Sequence, residues 1–413
     1  MEQLTSRERV RISLNHQEPD RLPIDFGAMR STGINAIAYN RLKKYLGMKN
    51  TETKVYDIYQ QLAEPEEAIM KIMGADVVQL HRYRPAFGID IANWKPGKLM
   101  DGSDCLVPRD FNPVENSRGD LDVIKDDKVI ARMPKGGYYF DPMYHPYANV
   151  KSMGDIDKIP VSEIPHEELS YLREKAKELY EKTDYAILGS FGGNILEAGQ
   201  SDWGYERFFI EMALNPDMVH YYLERKIQVY LRDLEKYLNA VGEYIDVIQF
   251  GDDLGTQENT QISIQMYRDM IKPYHTRLYQ YVRNNFPNVK VFLHSCGAIY
   301  DLIPDLIDAG VEILNPVQLS ARNMDPIKLK REFGNHLTFW GGGCDTQTTL
   351  TFGSLEDIRN EVEELIGIFA PGGGFVFTQV HNIQADISPE KIMELYNTAN
   401  RVGRQVYATA RQI

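Results

Sequence analysis

The sequence predicts an α/β fold of the (β/α)8 TIM barrel kind, with an antiparallel β insertion after the second strand. Three observations carry this expectation: eight short apolar runs of strand length, helical periodicity in most of the stretches between them, and the spacing of those runs. From the fourth run onward the starts lie about 20 to 45 residues apart, which suits right-handed parallel crossovers and is too long for hairpins. Apolar residues make up 43% of the 413-residue chain and charged residues 25%, an ordinary globular composition able to bury a large core. Disordered, collagen-like and coiled-coil architectures are thereby excluded.

Taken in chain order, the first element is a helix opened by the capping box of Thr5 and Glu8, carrying Val10 and Leu14 and ending before Pro19. The run from Leu22 to Gly27 follows as the first strand. The other seven are ADVVQL (75–80), YAILGS (185–190), YIDVIQF (244–250), VKVFLH (289–294), VEILNP (311–316), LTFWGG (337–342) and GFVFTQV (374–380). Residues 165–182, 264–285 and 355–370 place apolar side chains three or four apart, as core-facing helices do. The exception to the rhythm is residues 83–150, where DGSD and KDDK punctuate alternating segments in the manner of hairpin turns. At about 150 residues per domain the length would suit two or three units. One barrel domain over residues 1–413 with a β-hairpin subdomain at 83–150 accounts for it equally well.

The formal charge of −13 has the wrong sign for a phosphate-backbone binder, so nucleic acid is not an expected partner. The first twenty residues are too charged for a signal peptide, and no apolar run reaches the roughly 18 residues a membrane span needs. Three cysteines, Cys105, Cys296 and Cys344, make no disulfide framework. A cytoplasmic protein is expected.

Chemistry concentrates in VFLHSCG. His294 and Cys296, two apart at the end of a strand, point to the same side, at the barrel rim where catalytic residues gather. Cys344 follows 48 residues later, just past the seventh strand. One imidazole and two thiolates suit zinc, and three protein ligands leave a fourth position open for a substrate or water. The bland reading is that the cysteines fill the core and the histidine ends a hydrogen-bond network. Cys105 has no partner pattern and reads as structural.

Several segments resemble the uroporphyrinogen decarboxylase superfamily: TSRERVRISLNHQEPDRLPIDFG, FGDDLGTQ, MYRDMIKPYH, FLHSCGAIYDLIPDLIDAGVEILNPVQ and GGGFVFTQVHNIQADISPE. They are most similar to its zinc-dependent, corrinoid-linked methyltransferase branch. The resemblance implies zinc on His294, Cys296 and Cys344, a corrinoid carried by a partner protein, a small methylated substrate, and a barrel of a kind that often forms homodimers. The sequence also departs from the decarboxylases proper. Their arginine-rich motif is replaced by DFGAMRSTG, with Arg30 alone, which disfavours porphyrinogen decarboxylation. The interval from Cys296 to Cys344 is shorter than in the methyltransferases that serve coenzyme M.

Asp252 and Asp253 follow the fourth strand and are candidates for proton transfer, or for capping the next loop. Glu197 is a third candidate acid, or a helix-start carboxylate. His381, past the eighth strand, is a candidate to bond substrate or to anchor a loop. Gly341, Gly342 and Gly343 would let the backbone approach a bulky cofactor, or simply turn tightly. Arg82 and Arg84 could hold a carboxylate or a corrinoid side chain, and Tyr138, Tyr139, Tyr144 and Tyr147 could fold over the rim. The leading expectation is a zinc-dependent methyltransferase acting between a small methyl ether, alcohol, amine or thiol and a corrinoid protein. The alternatives are a metal-free decarboxylase and a non-enzymatic corrinoid- or metal-binding module.

Overall fold

A computed structural model describes residues 4–49 and 52–407. The strands, in chain order, begin with β1 (Val55–Asp57), β2 (Leu62–Ala63) and β3 (Val77–Leu80). Next come β4 (Trp94–Lys98), β5 (Asp104–Pro108), β6 (Val114–Glu115), β7 (Leu121–Lys125), β8 (Lys128–Met133) and β9 (Asp141–Pro142). The last six are β10 (Ala186–Gly192), β11 (Val247–Gly251), β12 (Lys290–His294), β13 (Ile313–Asn315), β14 (Thr338–Trp340) and β15 (Phe375–Val376). A seven-stranded parallel sheet runs β3-β10-β11-β12-β13-β14-β15, each strand beside its predecessor in sequence. This curled sheet is compatible with a TIM-barrel-like fold.

The first expected strand forms only an isolated parallel bridge, Ile24 with Phe377. Pro23 has no N–H to give, yet the segment still joins the two sheet edges. Asp25 N–H donates to Phe377 O (2.8 Å) on one side, and Asp76 N–H donates to Ile24 O (2.7 Å) on the other. Between β3 and β10 the chain pairs antiparallel, β4 with β5 and β6 through β9 in a four-stranded sheet. Leu106 N–H donates to Thr53 O (2.8 Å), tying this stretch to chain that precedes β3.

The helices follow their local signals. Ser6–Leu14 has the reciprocal Thr5 and Glu8 capping box, and Ser354 with Asp357 opens Leu355–Phe369 the same way. The predicted helix over 264–285 is broken into Ile264–Met266, a wide π turn at Tyr267–Ile271 and Lys272–Asn285. Pro273 explains the break: it donates no hydrogen bond to the turn before it, and its ring crowds that turn's carbonyl. No helix among the described residues is long and apolar enough to cross a membrane.

Inside the ring, Val77, Ala186, Leu188, Val247, Phe292, Ile313, Trp340 and Val376 pack with Val10 and Leu14 of the first helix into one apolar plug. The plug closes the amino-terminal end. Two residues further along the strands, the period of two turns Gln79, Ser190, Gln249, His294 and Asn315 to the same interior face. The apolar floor thus gives way to a polar layer at the carboxyl ends.

Candidate active site

That polar layer borders a cavity of about 390 Å³ whose walls include Gln79, Ser190, Glu197, Gln249, Asp253, His294 and His381. His294 ends β12, and its Nδ1 lies 2.6 Å from the Asn315 side-chain oxygen. The Asn315 amide is oriented by its other end, since Nδ2 donates to Trp340 O at 2.7 Å while Ser31 Oγ donates to Oδ1 at 3.0 Å. An acceptor at Nδ1 makes that nitrogen the protonated one. The Nε2 lone pair of His294 therefore faces Cys296 Sγ, 3.4 Å away.

His381 is arranged in parallel. Its Nδ1 lies 3.2 Å from Asn382 Oδ1, and Asn382 Nδ2 donates to Gln60 Oε1 at 2.8 Å. Tyr139 also reaches Asn382 Oδ1 (3.1 Å), so the stretch between β3 and β10 buttresses a rim histidine. Burial, and then the neighbouring His294, push the His381 imidazolium down to about 4, leaving the ring neutral at ordinary pH. The ligand atoms of His294, Cys296 and His381 all lie within 4.8 Å of one another. The ring centroids of the two histidines are 6.2 Å apart.

Carboxylates crowd the same wall. Asp253 Oδ1 accepts from Cys296 N–H (2.8 Å) and lies 3.6 Å from His294 Nε2. Glu197 Oε2 accepts from Asn194 Nδ2 (2.6 Å) and Asp253 N–H (3.0 Å). Burial, then the charges of Asp253 and Asp252, push Glu197 up to about 8, so it keeps its proton at neutral pH. The Cys296 thiol is held well above its ordinary range by burial, with Asp253 and Glu197 adding to it. A cation placed here would meet two carboxyl groups and a thiol whose ionisation it would favour.

Three sequence expectations are placed differently. Cys344 does not join the group around His294 and Cys296. Its thiol donates to Glu361 Oε2 (3.3 Å) on the helix Leu355–Phe369, and burial followed by Glu361 holds it protonated. Gly341, Gly342 and Gly343 do not line the cavity and pack closely against neighbouring chain. A Cβ on Gly341 (φ 111) would lie 2.5 Å from Pro316 O, and one on Gly343 would lie 2.4 Å from the Phe377 ring. The glycines let the chain turn tightly against two neighbours, and the turn carries Cys344 away from the mouth. Asp252 likewise faces away from its neighbour Asp253. It accepts from the N–H groups of Ile195 (3.1 Å), Leu196 (2.8 Å) and Glu197 (2.8 Å) and from buried His275 Nε2 (2.9 Å), anchoring the start of the helix Leu196–Trp203.

The sequence reading missed Asn315 and Asn382, which orient the histidines, and the neutral wall of Tyr56, Gln79 and Gln249. A signal existed: Gln79, Gln249 and Asn315 interrupt otherwise apolar strands at inward positions. Of the tyrosines, Tyr139 reaches the rim, whereas Tyr147 is buried against Trp203. Arg30, Arg82 and Arg84 all line the cavity, each already paired with a carboxylate, Asp57, Glu168 and Glu167 respectively.

Comparison with known proteins bears on this arrangement. A methyltransferase from Methanosarcina mazei superposes with a TM-score of 0.59 at 16% identity, covering 97% of this chain and 99% of that one. The two share a fold over almost their whole lengths. A rutinosidase from Aspergillus niger follows at a TM-score of 0.32 and 12% identity, covering 62% of this chain and 84% of that one. No curated protein matches. The family model described as uroporphyrinogen decarboxylase (URO-D) matches residues 135–402, which is more than half of the chain and includes every member of the candidate metal group. The chain belongs to the uroporphyrinogen decarboxylase family.

Proposed function

We propose that this protein is a zinc-dependent methyltransferase that moves a methyl group between a small methylated substrate and a corrinoid carried by a partner protein. The observation that supports it best is the convergence of His294, Cys296 and His381 at the strand ends, with both Nδ1 atoms beside asparagine oxygens and His294 Nε2 turned toward Cys296 Sγ. In this reading the third ligand is His381 and not Cys344.

The residues fit the metal. Tetrahedral zinc with bonds of about 2.0–2.3 Å needs donor atoms roughly 3.3–3.8 Å apart, and His294 Nε2 and Cys296 Sγ are 3.4 Å apart. Zinc bound by three protein ligands supplies Lewis acidity toward a substrate oxygen, sulfur or nitrogen at its open position. Asn315 and Asn382 fix the ring planes, so neither imidazole must reorganise. Asp253 holds the Cys296 backbone in place. Glu197 keeps a proton in the cavity wall and can give it to a substrate oxygen that loses its methyl group, the O-demethylase case. We propose that the chain forms one barrel-like domain, in which residues 22–27 bridge the two sheet edges and residues 83–150 are an insertion; a homodimer is its proposed assembly.

The metal-free decarboxylase reading draws less support. Each arginine lining the cavity is already neutralised by an acid, so a carboxylated substrate would have to compete with Asp57, Glu168 or Glu167. Elemental analysis and cobalt spectroscopy test the proposal together. Stoichiometric zinc and methylation of Co(I) cobalamin by a methyl donor are expected, with both lost in His381→Ala. A zinc-free protein with full methyl-transfer activity would overturn it.

A further inference from the structure

The two rim histidines are held by different parts of the chain. His294 leans on Asn315 of β13, whose amide is fixed by Trp340 O of β14 and by Ser31 Oγ. His381 leans on Asn382, and that amide is fixed from outside the parallel sheet. Asn382 Nδ2 donates to Oε1 of Gln60, between β1 and β2, at 2.8 Å. This bond settles which end of the amide is oxygen and turns Oδ1 toward His381 Nδ1, 3.2 Å away. Tyr139, just before β9, completes the support. Its hydroxyl donates to Asn382 Oδ1 at 3.1 Å and accepts from Gln384 Nε2 at 2.6 Å, and Gln384 Nε2 also reaches Asn382 Oδ1.

The residue after it carries the packing. Phe140 is fully buried, its N–H donates to Tyr59 O at 3.0 Å, and its ring meets Phe87 and Phe111 edge-on at centroid distances of 5.5 and 6.0 Å. Phe140 thus seats the antiparallel stretch on the rim whether or not residue 139 bears a hydroxyl. The Tyr139 hydroxyl is left with the joining of Asn382 to Gln384. Asn382 is fully buried, so bulk water does not replace a donor lost there. Without it the amide loses one of the contacts that hold its plane, and His381 Nδ1 loses a fixed acceptor.

We propose that Tyr139 is a positioning residue for His381, which makes this rim histidine dependent on the seating of the stretch between β3 and β10, whereas His294 is set without it. The consequence for metal rests on the zinc reading; the orientation of the ring stands on the hydrogen bonds themselves.

Ring-nitrogen NMR of the histidine-labelled full chain, metal-free and in mildly alkaline buffer, tests it, with His381→Ala and His294→Ala identifying the two rings. In the native protein both rings should carry the proton on Nδ1. Tyr139→Phe keeps the aromatic ring and should draw the two His381 nitrogen signals toward each other, as mixed tautomers do, while those of His294 stay in place. A loosened fold would move both histidines, and a thermal melt checks for one. Zinc affinity in a competitive chelator titration should fall about tenfold in Tyr139→Phe. It should hold in Tyr144→Phe, which removes another hydroxyl of the same stretch, one that accepts from Lys128 Nζ at 3.2 Å. The proposal is overturned if the His381 signals keep their native positions in Tyr139→Phe, if those of His294 move with them, or if a zinc-binding native protein keeps its affinity in that variant. A native chain that binds no zinc, with Tyr139→Phe still shifting His381 alone, would overturn the zinc reading and leave the positioning role in place.

Discussion

The two ends of the curled parallel sheet are built from the same residue types and put them to opposite uses. At the amino-terminal end, buried Asp76 accepts from Arg9 Nη1 (2.7 Å), Arg21 Nη1 (2.7 Å), Ser6 Oγ (2.7 Å) and Ile24 N–H (3.0 Å). Every lone pair of that carboxylate is answered, and the first helix seals the plug beneath it. At the carboxyl end, Glu197 and Asp253 face each other and a thiol. Two histidines converge on that thiol, and Tyr56 and Gln79 keep unpaired oxygens. The contrast teaches where this fold tolerates unsatisfied chemistry. Glu197 and Asp253 leave chemistry open at the carboxyl ends of the strands, while Asp76 spends its charge at the opposite ends on holding the chain together.

The sharpest way to break the comparison is at the metal group. Cys296→Ala and His381→Ala should each abolish zinc binding, whereas Cys344→Ser should leave metal content unchanged; elemental analysis of the three purified variants decides it. Zinc lost from Cys344→Ser and kept in His381→Ala would restore the sequence expectation.

Next in size is the sealed end. Asp76→Ala removes the acceptor shared by Arg9, Arg21, Ser6 and Ile24, leaving Arg9 only Asp20 and Leu4 O, and should cost about 3 kcal/mol in urea unfolding, with methyl-transfer rate per folded molecule unchanged. A stable variant with impaired chemistry would show that the two ends are not independent.

Smaller effects are expected one layer out from the metal. Asn315→Ala removes the acceptor that sets the His294 tautomer, and Asn382→Ala does the same for His381. Each should weaken zinc affinity by about 10- to 100-fold in a competitive chelator titration. Unchanged affinity in both would mean the rings are held by packing alone.

The smallest effect is a titration. In metal-free protein the Glu197 carboxylic acid C=O infrared band should persist at pH 7 and fade as pH rises through about 8. Asp253→Asn removes a like charge and should move that transition to lower pH; an upward move would contradict the electrostatic picture.

Much of the fold was legible because strands and caps are local. The runs at 75–80, 185–190 and 289–294 overlap β3, β10 and β12, and Thr5 with Glu8 does cap the first helix. The run at 22–27 was legible as chain in the ring but not as a regular strand, because Pro23 cannot donate and Gly27 turns at φ 84 against Pro65. In the site, Glu197, Asp253, His294, Cys296 and His381 were all named from sequence. The expected companion Cys344 does not lie with His294 and Cys296, and His381 does.

What the sequence by itself determined is the pair at the end of β12. Alternation along a strand predicts that His294 and Cys296 share a side, and they meet 3.4 Å apart although Cys296 lies just past β12. What only the tertiary structure decided is their third companion and the carboxylates that matter. Cys344 and His381 both follow strand ends, and Asp252 and Asp253 are adjacent, so local pattern ranks none of them. The choice came from distant packing: Pro316 and Phe377 crowd the three-glycine turn and send Cys344 to Glu361, while three N–H groups and His275 draw Asp252 away from the mouth. A side chain's direction beyond a turn is set by contacts that the sequence around the turn does not contain.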